Sequence, residues 1–374
     1  MNTSAVTKYG LAGLRRCWME DRATWSHKYH LDGRSKPNES VPHSDLYYSL
    51  NVLLGLSRVR SELANEPYDV SILLRSICDA ATRQPMRNGA WGMALWAAAE
   101  LDLEAPAPAA NGLKRLAEDP SHAIGWTAQD VGLSLSGACA QARRDASWFP
   151  LARSLAGTLL THFRGSGALF RDSGRGSRRY FATFATQVYA ALSLYQFGEL
   201  SDDSAAIEAA NSCVRKLIAL QGPLGEWPWF YLPDQTRVLD PYEVYSVHQH
   251  GMAPALLHHA VRHGVPGARH AIVKGFQWLF GENRLGQTMF VPELQLIYRS
   301  QARRGLLGRR EARLARSVAT ALSVGDVWSA KPASLRLTQE MRSYEFGWLL
   351  WSFGDRTDYP ELTERADFLI PSAA

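Results

Sequence analysis

Asn88 to Leu101 reads NGAWGMALWAAAEL, small or apolar on almost every side of the helix it predicts. A helix that is apolar all round has no face for water and must be enclosed by other helices. Five more stretches share its form, a polar or aromatic turn followed by small and apolar residues. They are HSDLYYSLNVLLGL from His43, GWTAQDVGLSLSGACA from Gly125, RRYFATFATQVYAALSLY from Arg178, YEVYSVHQHGMAPALLHHA from Tyr242 and RSYEFGWLLWSF from Arg342. Between them lie amphipathic segments such as Ser204–Leu220 and Ala268–Phe280, each able to shield a buried neighbour from water. The alternation predicts an all-α fold, an α/α toroid of about six helical pairs with the apolar helices inside. Trp91, Tyr189 and Trp348 are then expected within the ring. The gap between Val247 and Tyr344 leaves room for an extra or incomplete pair, with TMFVPELQLIYRS from Thr288 as its inner member. An open solenoid would repeat at more regular lengths than these.

With 374 residues, 46% of them hydrophobic, the chain can bury a full core, and no low-complexity linker divides it. A single domain over residues 1–374 is expected. LEAPAPAANG from Leu103 fits a loop between helices, and GSGALFRDSGRGSRR from Gly165 fits a flap over one end of the ring. The net charge of +5 is scattered. Its densest run, RRGLLGRREARLAR from Arg303, reads as the wet face of an amphipathic helix around Leu306, Leu307 and Leu314. No basic ribbon interleaved with aromatics points to nucleic acid. Cys17, Cys78, Cys139 and Cys213 are far apart and expected to be reduced and buried. There is no HExxH or clustered Cys/His spacing, so neither metal nor cofactor is expected. The first residues lack the apolar core of a secretory signal and no run approaches membrane-spanning length. These features predict a cytoplasmic protein without membrane insertion; oligomeric state is not legible.

Candidate chemistry concentrates in Gln221–Pro254, QGPLGEWPWFYLPDQTRVLDPYEVYSVHQHGMAP. Aromatic faces beside titratable groups suit a pocket that grips a ring and moves protons. Tyr245 and His248 are neighbours at i,i+3 and form the candidate acid–base pair, with Glu226 or Asp240 as the assisting carboxylate. A structural Tyr–His contact in a packed ring is the competing reading. Trp227, Trp229, Tyr231 and Tyr242 are candidates for stacking on substrate. If the toroid is right, polar residues at the other inner-helix starts converge on the same mouth. These are Asp45, Tyr48, Trp91, Trp126, Asp130, Arg179, Tyr180, Glu293, Arg299, Arg342, Tyr344 and Glu345, with His43 and Asn88. Some fit plain helix caps: Ser44 and Asp45 are natural N-cap residues, and Arg342 with Glu345 could be a local ion pair.

Gln221-Gly-Pro-Leu-Gly225-Glu-Trp227 resembles the Gln-x-x-x-Gly-x-Trp repeat of terpenoid cyclases and related toroids, and Gln84–Trp91 resembles a variant with one extra residue. The resemblance implies that the glutamine caps a helix end while the tryptophan stacks nearby. The chain lacks the Asp-x-Asp-Asp and Asp-Asp-x-x-Asp motifs of cyclase chemistry; Asp202-Asp203 reads as a helix start. The block also resembles the site segments of toroidal sugar enzymes, the uronic-acid lyases, uronyl epimerases and six-hairpin glycosidases. It is similar, too, to a bacterial family associated with surface-polysaccharide genes. Together these imply a carbohydrate-processing enzyme of lyase, epimerase or glycosidase type, acting on a small-molecule or oligosaccharide substrate such as a polysaccharide precursor or fragment. Arg179, Arg299 and Arg342 would suit a sugar carboxylate. A terpenoid cyclase-like enzyme and a non-catalytic glycan-binding or scaffold protein are the alternatives.

Overall fold

The computed structural model describes residues 3–83, 86–119, 121–305 and 331–368, and four isolated positions between them, 312, 315, 317 and 320. Twelve helices alternate between an outer and an inner layer. The outer ones are α1 (Ala5–Cys17), α3 (Val70–Ala81), α5 (Ala107–Glu118), α7 (Phe149–Thr158), α9 (Ser204–Leu220) and α11 (Ala268–Gln277). The inner ones are α2 (Pro42–Leu56), α4 (Asn88–Glu100), α6 (Ala128–Ala142), α8 (Phe184–Ser201), α10 (Ala253–Arg262) and α12 (Tyr344–Phe353). Each inner helix packs on the next and α12 packs back on α2, which closes the ring. The toroid of six pairs is therefore present.

The inner helices are the six apolar stretches. Met93 to Ala98 of α4 are all fully enclosed, and so is Val188 to Leu192 of α8 apart from Tyr189, which is 7% exposed. Small residues let these helices touch backbone to backbone. A Cβ on Gly137 of α6 would lie 2.3 Å from the Gly92 carbonyl oxygen of α4, and one on Gly55 of α2 would lie 2.2 Å from that of Gly347 in α12. Outer helices show conventional caps: Asp69 accepts from the N–H groups of Ser71 and Ile72, and Asp203 from those of Ala205 and Ala206.

Three expectations need correction. Thr288–Ser300 is not an inner helix: Phe290–Val291 and Leu296–Ile297 pair as a short antiparallel hairpin, and Ser300–Arg303 is a strand. Pro292 and alternating apolar positions explain this, since proline cannot donate within a helix. Asp45 does not cap α2, which starts at Pro42 with Val41 as its N-cap; Asp45 sits buried in the first turn and accepts from the Ser40 hydroxyl. Trp91 faces away from the ring centre, its indole against Gly112 of α5, whereas Tyr189 and Trp348 are inside as expected. The basic run after Gly305 and the Gln84 end of the variant repeat lie outside the described residues.

The Gln-x-x-x-Gly-x-Trp segment clamps successive outer helices. Gln221, at the C-terminal end of α9, donates to the carbonyls of Gly225 (3.0 Å) and Ala271 of α11 (3.1 Å). Gly225 has φ +95°, and a Cβ there would lie 2.2 Å from the Lys274 carbonyl, so only glycine fits. Trp227 is buried and stacks on Phe184 at 5.3 Å.

Short strands precede four of the six inner helices and rim their N-terminal ends. Asn38–Glu39 leads into α2 and pairs with Lys28–His30, which also pairs with Glu340–Met341 ahead of α12. Ala182–Thr183 leads into α8 and pairs with Phe230–Leu232. Val244–Tyr245 leads into a π turn, His248–Met252, and α10, and pairs with Ser300–Arg303. Among the described residues no helix is long and apolar enough to cross a membrane.

Candidate active site

A cavity of about 380 Å³ opens where the inner helices begin. Every inner helix, or the residues leading into it, contributes to its wall. His43, Ser44, Tyr47 and Tyr48 come from the first turns of α2, where i,i+4 spacing puts His43 above Tyr47 and Ser44 above Tyr48. Met86 and Arg87 lead into α4, Gln129 is on α6, and Thr183, Ala185 and Tyr189 belong to the start of α8. His248 and Met252 come from the π turn ahead of α10, and Tyr344 from α12; Trp229, Tyr245 and Arg299 complete the lining. No aspartate or glutamate is among these described lining residues.

Two guanidinium groups divide the wall. Arg87 is tethered to Asp130 (3.2 Å), which also accepts from the Gly89 N–H (3.2 Å) and the Thr127 hydroxyl (2.6 Å). Beside it Tyr47 and Tyr189 line the wall together, and burial raises the pKa of both phenols. Arg299 lies 3.5 Å from Glu340 and 3.7 Å from Glu345, with its guanidinium 5.0 Å above the Tyr245 ring. Tyr48 and Tyr344 meet at 4.5 Å next to it. Their phenols are raised by burial, against the pull of Arg299, and stay protonated.

His248 completes an aromatic corner. It is 5.2 Å from Tyr245 at 62°, lies parallel to Trp229 at 6.1 Å, and touches Phe184 at 4.7 Å. Burial, then the positive charge of Arg299 and the neighbouring His250, push its pKa down to about 3. The imidazole is therefore neutral at working pH and can accept a proton. His250, fully buried, is also pushed down to about 3 by burial. Both folded values lie below the ordinary 6.5. The unfolded chain thus binds more protons between pH 6.5 and 3, and stability present above 6.5 is lost as pH falls through that window. Urea midpoints are expected to drop steadily from pH 7 to pH 4.5, and the two imidazoles to stay neutral by NMR at pH 5; a His248 midpoint above 5 would contradict this burial.

Of the residues singled out from sequence, Tyr245, His248, Trp229, His43, Tyr48, Arg299 and Tyr344 meet at the cavity. Glu345 and Asp130 stand behind its two arginines. Arg342 is one step further back, bonded to Glu340 (2.8 Å) and in contact with His27, which stacks on Tyr48 at 5.0 Å. The remainder lie elsewhere. Glu226 is buried with Arg284 at 3.8 Å and accepts from the Leu224 N–H. Asp240 is held by Arg303 at 2.6 Å, and that guanidinium lies over Tyr242. Trp227, Tyr231 and Tyr242 are core residues. Trp91 packs on α5, Trp126 precedes α6 outside the lining, Asp45 is buried beside Ser40, and Glu293 is exposed. Arg179 and Tyr180 bond to each other (2.5 Å) on the exposed turn before α8. The assisting carboxylate expected from Glu226 or Asp240 is thus not at the cavity.

Tyr47, Arg87, Gln129, Thr183 and Met252 line the cavity without being singled out by the sequence. Several sit one residue from a position that is, as Tyr47 does beside Tyr48, Arg87 beside Asn88 and Gln129 beside Asp130. The helix starts are legible, but their rotation about their own axes is not. The π turn at His248–Met252 adds a residue to the turn and shifts that phase again.

No family model matches the chain, and no curated protein matches it. Solved structures do. An inactive variant of an alpha-1,6-mannanase from Salegentibacter sp. HEL1_6, in complex with alpha-1,6-mannotriose, superposes with a TM-score of 0.56 at 11% identity, covering 94% of this chain and 98% of that one. An unsaturated glucuronyl hydrolase specific for heparin gives 0.58 at 13%, with 95% and 96% covered. The unsaturated glucuronyl hydrolase of Bacillus sp. GL1, responsible for the degradation of glycosaminoglycan, gives 0.58 at 11%, with 97% and 98% covered. At such identity the likeness is one of fold: the same toroid over nearly the whole of each chain.

Proposed function

We propose that the protein is an enzyme that moves a proton at the sugar carbon next to a carboxylate in an acidic carbohydrate, as a lyase or epimerase. The observation that carries this reading is the chemistry of the cavity wall: tyrosines, histidines and two arginines, with no carboxylate among the described lining residues. Hydrolysis by the usual glycosidase route needs two carboxyl groups flanking the scissile bond. Proton abstraction beside a carboxylate needs instead a cation to take up charge developing on that carboxylate, a base and an acid. Arg299 supplies the cation, neutral His248 the base, and Tyr245 the acid. The proton leaves the carbon for His248. In a lyase the C–O bond at the adjacent carbon then breaks, and the Tyr245 hydroxyl protonates the departing oxygen. In an epimerase His248 keeps the abstracted proton and the Tyr245 hydroxyl gives its own to the opposite face of the carbon, both groups then exchanging with solvent. Trp229 offers a surface for the sugar ring.

The toroidal relatives act, by their names, on mannan and on glucuronyl-containing glycans, which is consistent with a carbohydrate here. Two guanidinium groups in the wall disfavour a cyclase reading, because they would repel a carbocation. Four buried free cysteines fit a reducing, cytoplasmic setting, and a precursor or fragment of a surface polysaccharide is the substrate we expect there.

The test is incubation of the purified protein with uronate-containing and neutral oligosaccharides, in ordinary water and in D2O. An unsaturated uronate product seen by ultraviolet absorbance and mass spectrometry identifies a lyase; deuterium entering the uronate without cleavage identifies an epimerase. Cleavage of neutral oligosaccharides alone would overturn the proposal.

A further inference from the structure

Behind the Arg299 side of the cavity lies a carboxyl group placed where few carboxylates survive. Glu345 follows Tyr344 in the first turn of α12 and is fully buried. Among the described residues neither of its oxygens has a hydrogen-bond partner, and neither does Arg299 Nη1, which stands 3.7 Å from Glu345 Oε1. That separation is too long for a hydrogen bond but short for two charges in a dry interior. Asp130, behind Arg87, differs: it accepts hydrogen bonds from Gly89 and Thr127 as well as pairing with its arginine. An ionised Glu345 has the field of its neighbours, of which Arg299 is the closest, and slight help from the Arg342 backbone to offset its desolvation.

We propose that Glu345 is a positioning residue that sets how much positive charge Arg299 presents to an acidic substrate, leaving it free while protonated and quenching it once ionised. The proposal rests on the reading that an acidic sugar binds at Arg299.

The groups facing Glu345 come from every side. Arg299 and Glu340 belong to the rim strands and their connections, Arg342 to the turn before α12, Tyr48 to α2, Tyr344 to α12 itself and Cys17 to α1. Burial pushes the carboxyl up to about 8, with Arg299 and Arg342 pulling down and Glu340 adding to the rise. The group is thus mostly protonated at pH 7 and loses its proton above pH 8. Glu340, 3.5 Å from Arg299, is itself bonded to Arg342 and held low, so Arg299, Arg342 and Glu340 together carry a net positive charge while Glu345 is neutral.

Linkage fixes the sign of the effect. An anion bound at Arg299 removes part of the pull that favours ionised Glu345, so binding raises the Glu345 pKa, and ionising Glu345 weakens the anion by the same factor. A shift of one unit corresponds to about tenfold in affinity.

Two measurements separate this proposal from the functional reading beneath it. The first needs no ligand: the carboxyl of Glu345 is titrated by NMR in protein labelled with ¹³C-glutamate, its signal identified by its loss in E345Q. A midpoint near 8 that rises by a unit or more in R299M, or in R299Q if that variant folds better, is expected. A midpoint below 6, or one unmoved in both arginine variants, overturns the proposal. The second is binding of trigalacturonate and triglucuronate at pH 6.5 and pH 9, with maltotriose as the neutral control. Wild-type affinity for a uronate is expected to fall about fivefold across that range, since a midpoint raised by one unit leaves the complex half-titrated at pH 9, and the affinity of E345Q to stay level. Equal losses in the two proteins overturn the role of Glu345. Absence of uronate binding at pH 6.5 overturns the acidic-sugar reading instead, whatever the titration shows.

Discussion

Replacing Tyr245 with phenylalanine is expected to lower kcat on an acidic oligosaccharide by about 10² to 10⁴, the range for losing a positioned general acid or base. KM should change little. The substitution removes one oxygen and keeps the ring, which is held by packing as much as by bonding. Tyr245 lies edge-on to His248 at 5.2 Å, 5.0 Å from Trp229 and beneath the Arg299 guanidinium. Its strand pairs with Ser300 through the backbone, which the substitution does not touch. The variant should therefore fold and unfold like wild type, and circular dichroism with a thermal melt checks this. Should it retain wild-type turnover, Tyr245 is a packing residue and the acid must be sought in Tyr48 or Tyr344.

The same corner shows why His248 depends on its substrate. In the free protein burial, with Arg299 second to it, holds the imidazole pKa at about 3, too weak a base for a carbon acid. A carboxylate bound at Arg299 cancels part of that field and raises the basicity of His248 where the proton is to be taken. Glu345 acts on the same cation from behind. Substrate, base and buried carboxyl thus share one guanidinium.

What the sequence makes legible follows from periodicity and composition. Six stretches such as NGAWGMALWAAAEL can only be enclosed helices, so the ring and the membership of its inner layer are readable from residue order alone. The π turn and the strands are not, because Val244–Tyr245 and Phe290–Val291 are two-residue pieces with no period to detect. Within the aromatic block the chemistry splits by direction. Trp229, Tyr245 and His248 turn toward the ring axis, whereas Trp227, Tyr231 and Tyr242 turn into the core, and residue type alone does not tell these apart. Glu226 and Asp240 mislead for the same reason: a carboxylate near an aromatic cluster in sequence can belong to a structural ion pair with Arg284 or Arg303. Arg87 escapes notice because it stands one residue ahead of a helix start, where the backbone rather than the helical period decides its direction.

The closeness of the inner helices gives the largest expected effect on stability. Gly137→Ala places a methyl 2.3 Å from the carbonyl oxygen of Gly92, inside any permitted contact. Backbone atoms of α4 cannot swing aside as a side-chain tip could, so the two helices must part. Parting α4 from α6 disturbs a closed ring, because neighbours on both sides resist the movement. The expected loss is about 3 kcal/mol, at the upper end for overpacked cores. Gly157→Ala in α7 is the matched control, since apart from its chain neighbours and the backbone of its own helix no atom lies within 4 Å of the position its Cβ would take. There the same methyl should add about 0.5 kcal/mol, because alanine loses less backbone freedom than glycine on entering a helix. Urea unfolding of the two variants beside wild type therefore expects opposite shifts from identical chemistry. Equal midpoints for Gly137→Ala and wild type would mean that α4 and α6 stand further apart than the fold requires, and the cavity walls that hang from their first turns would have to be redrawn.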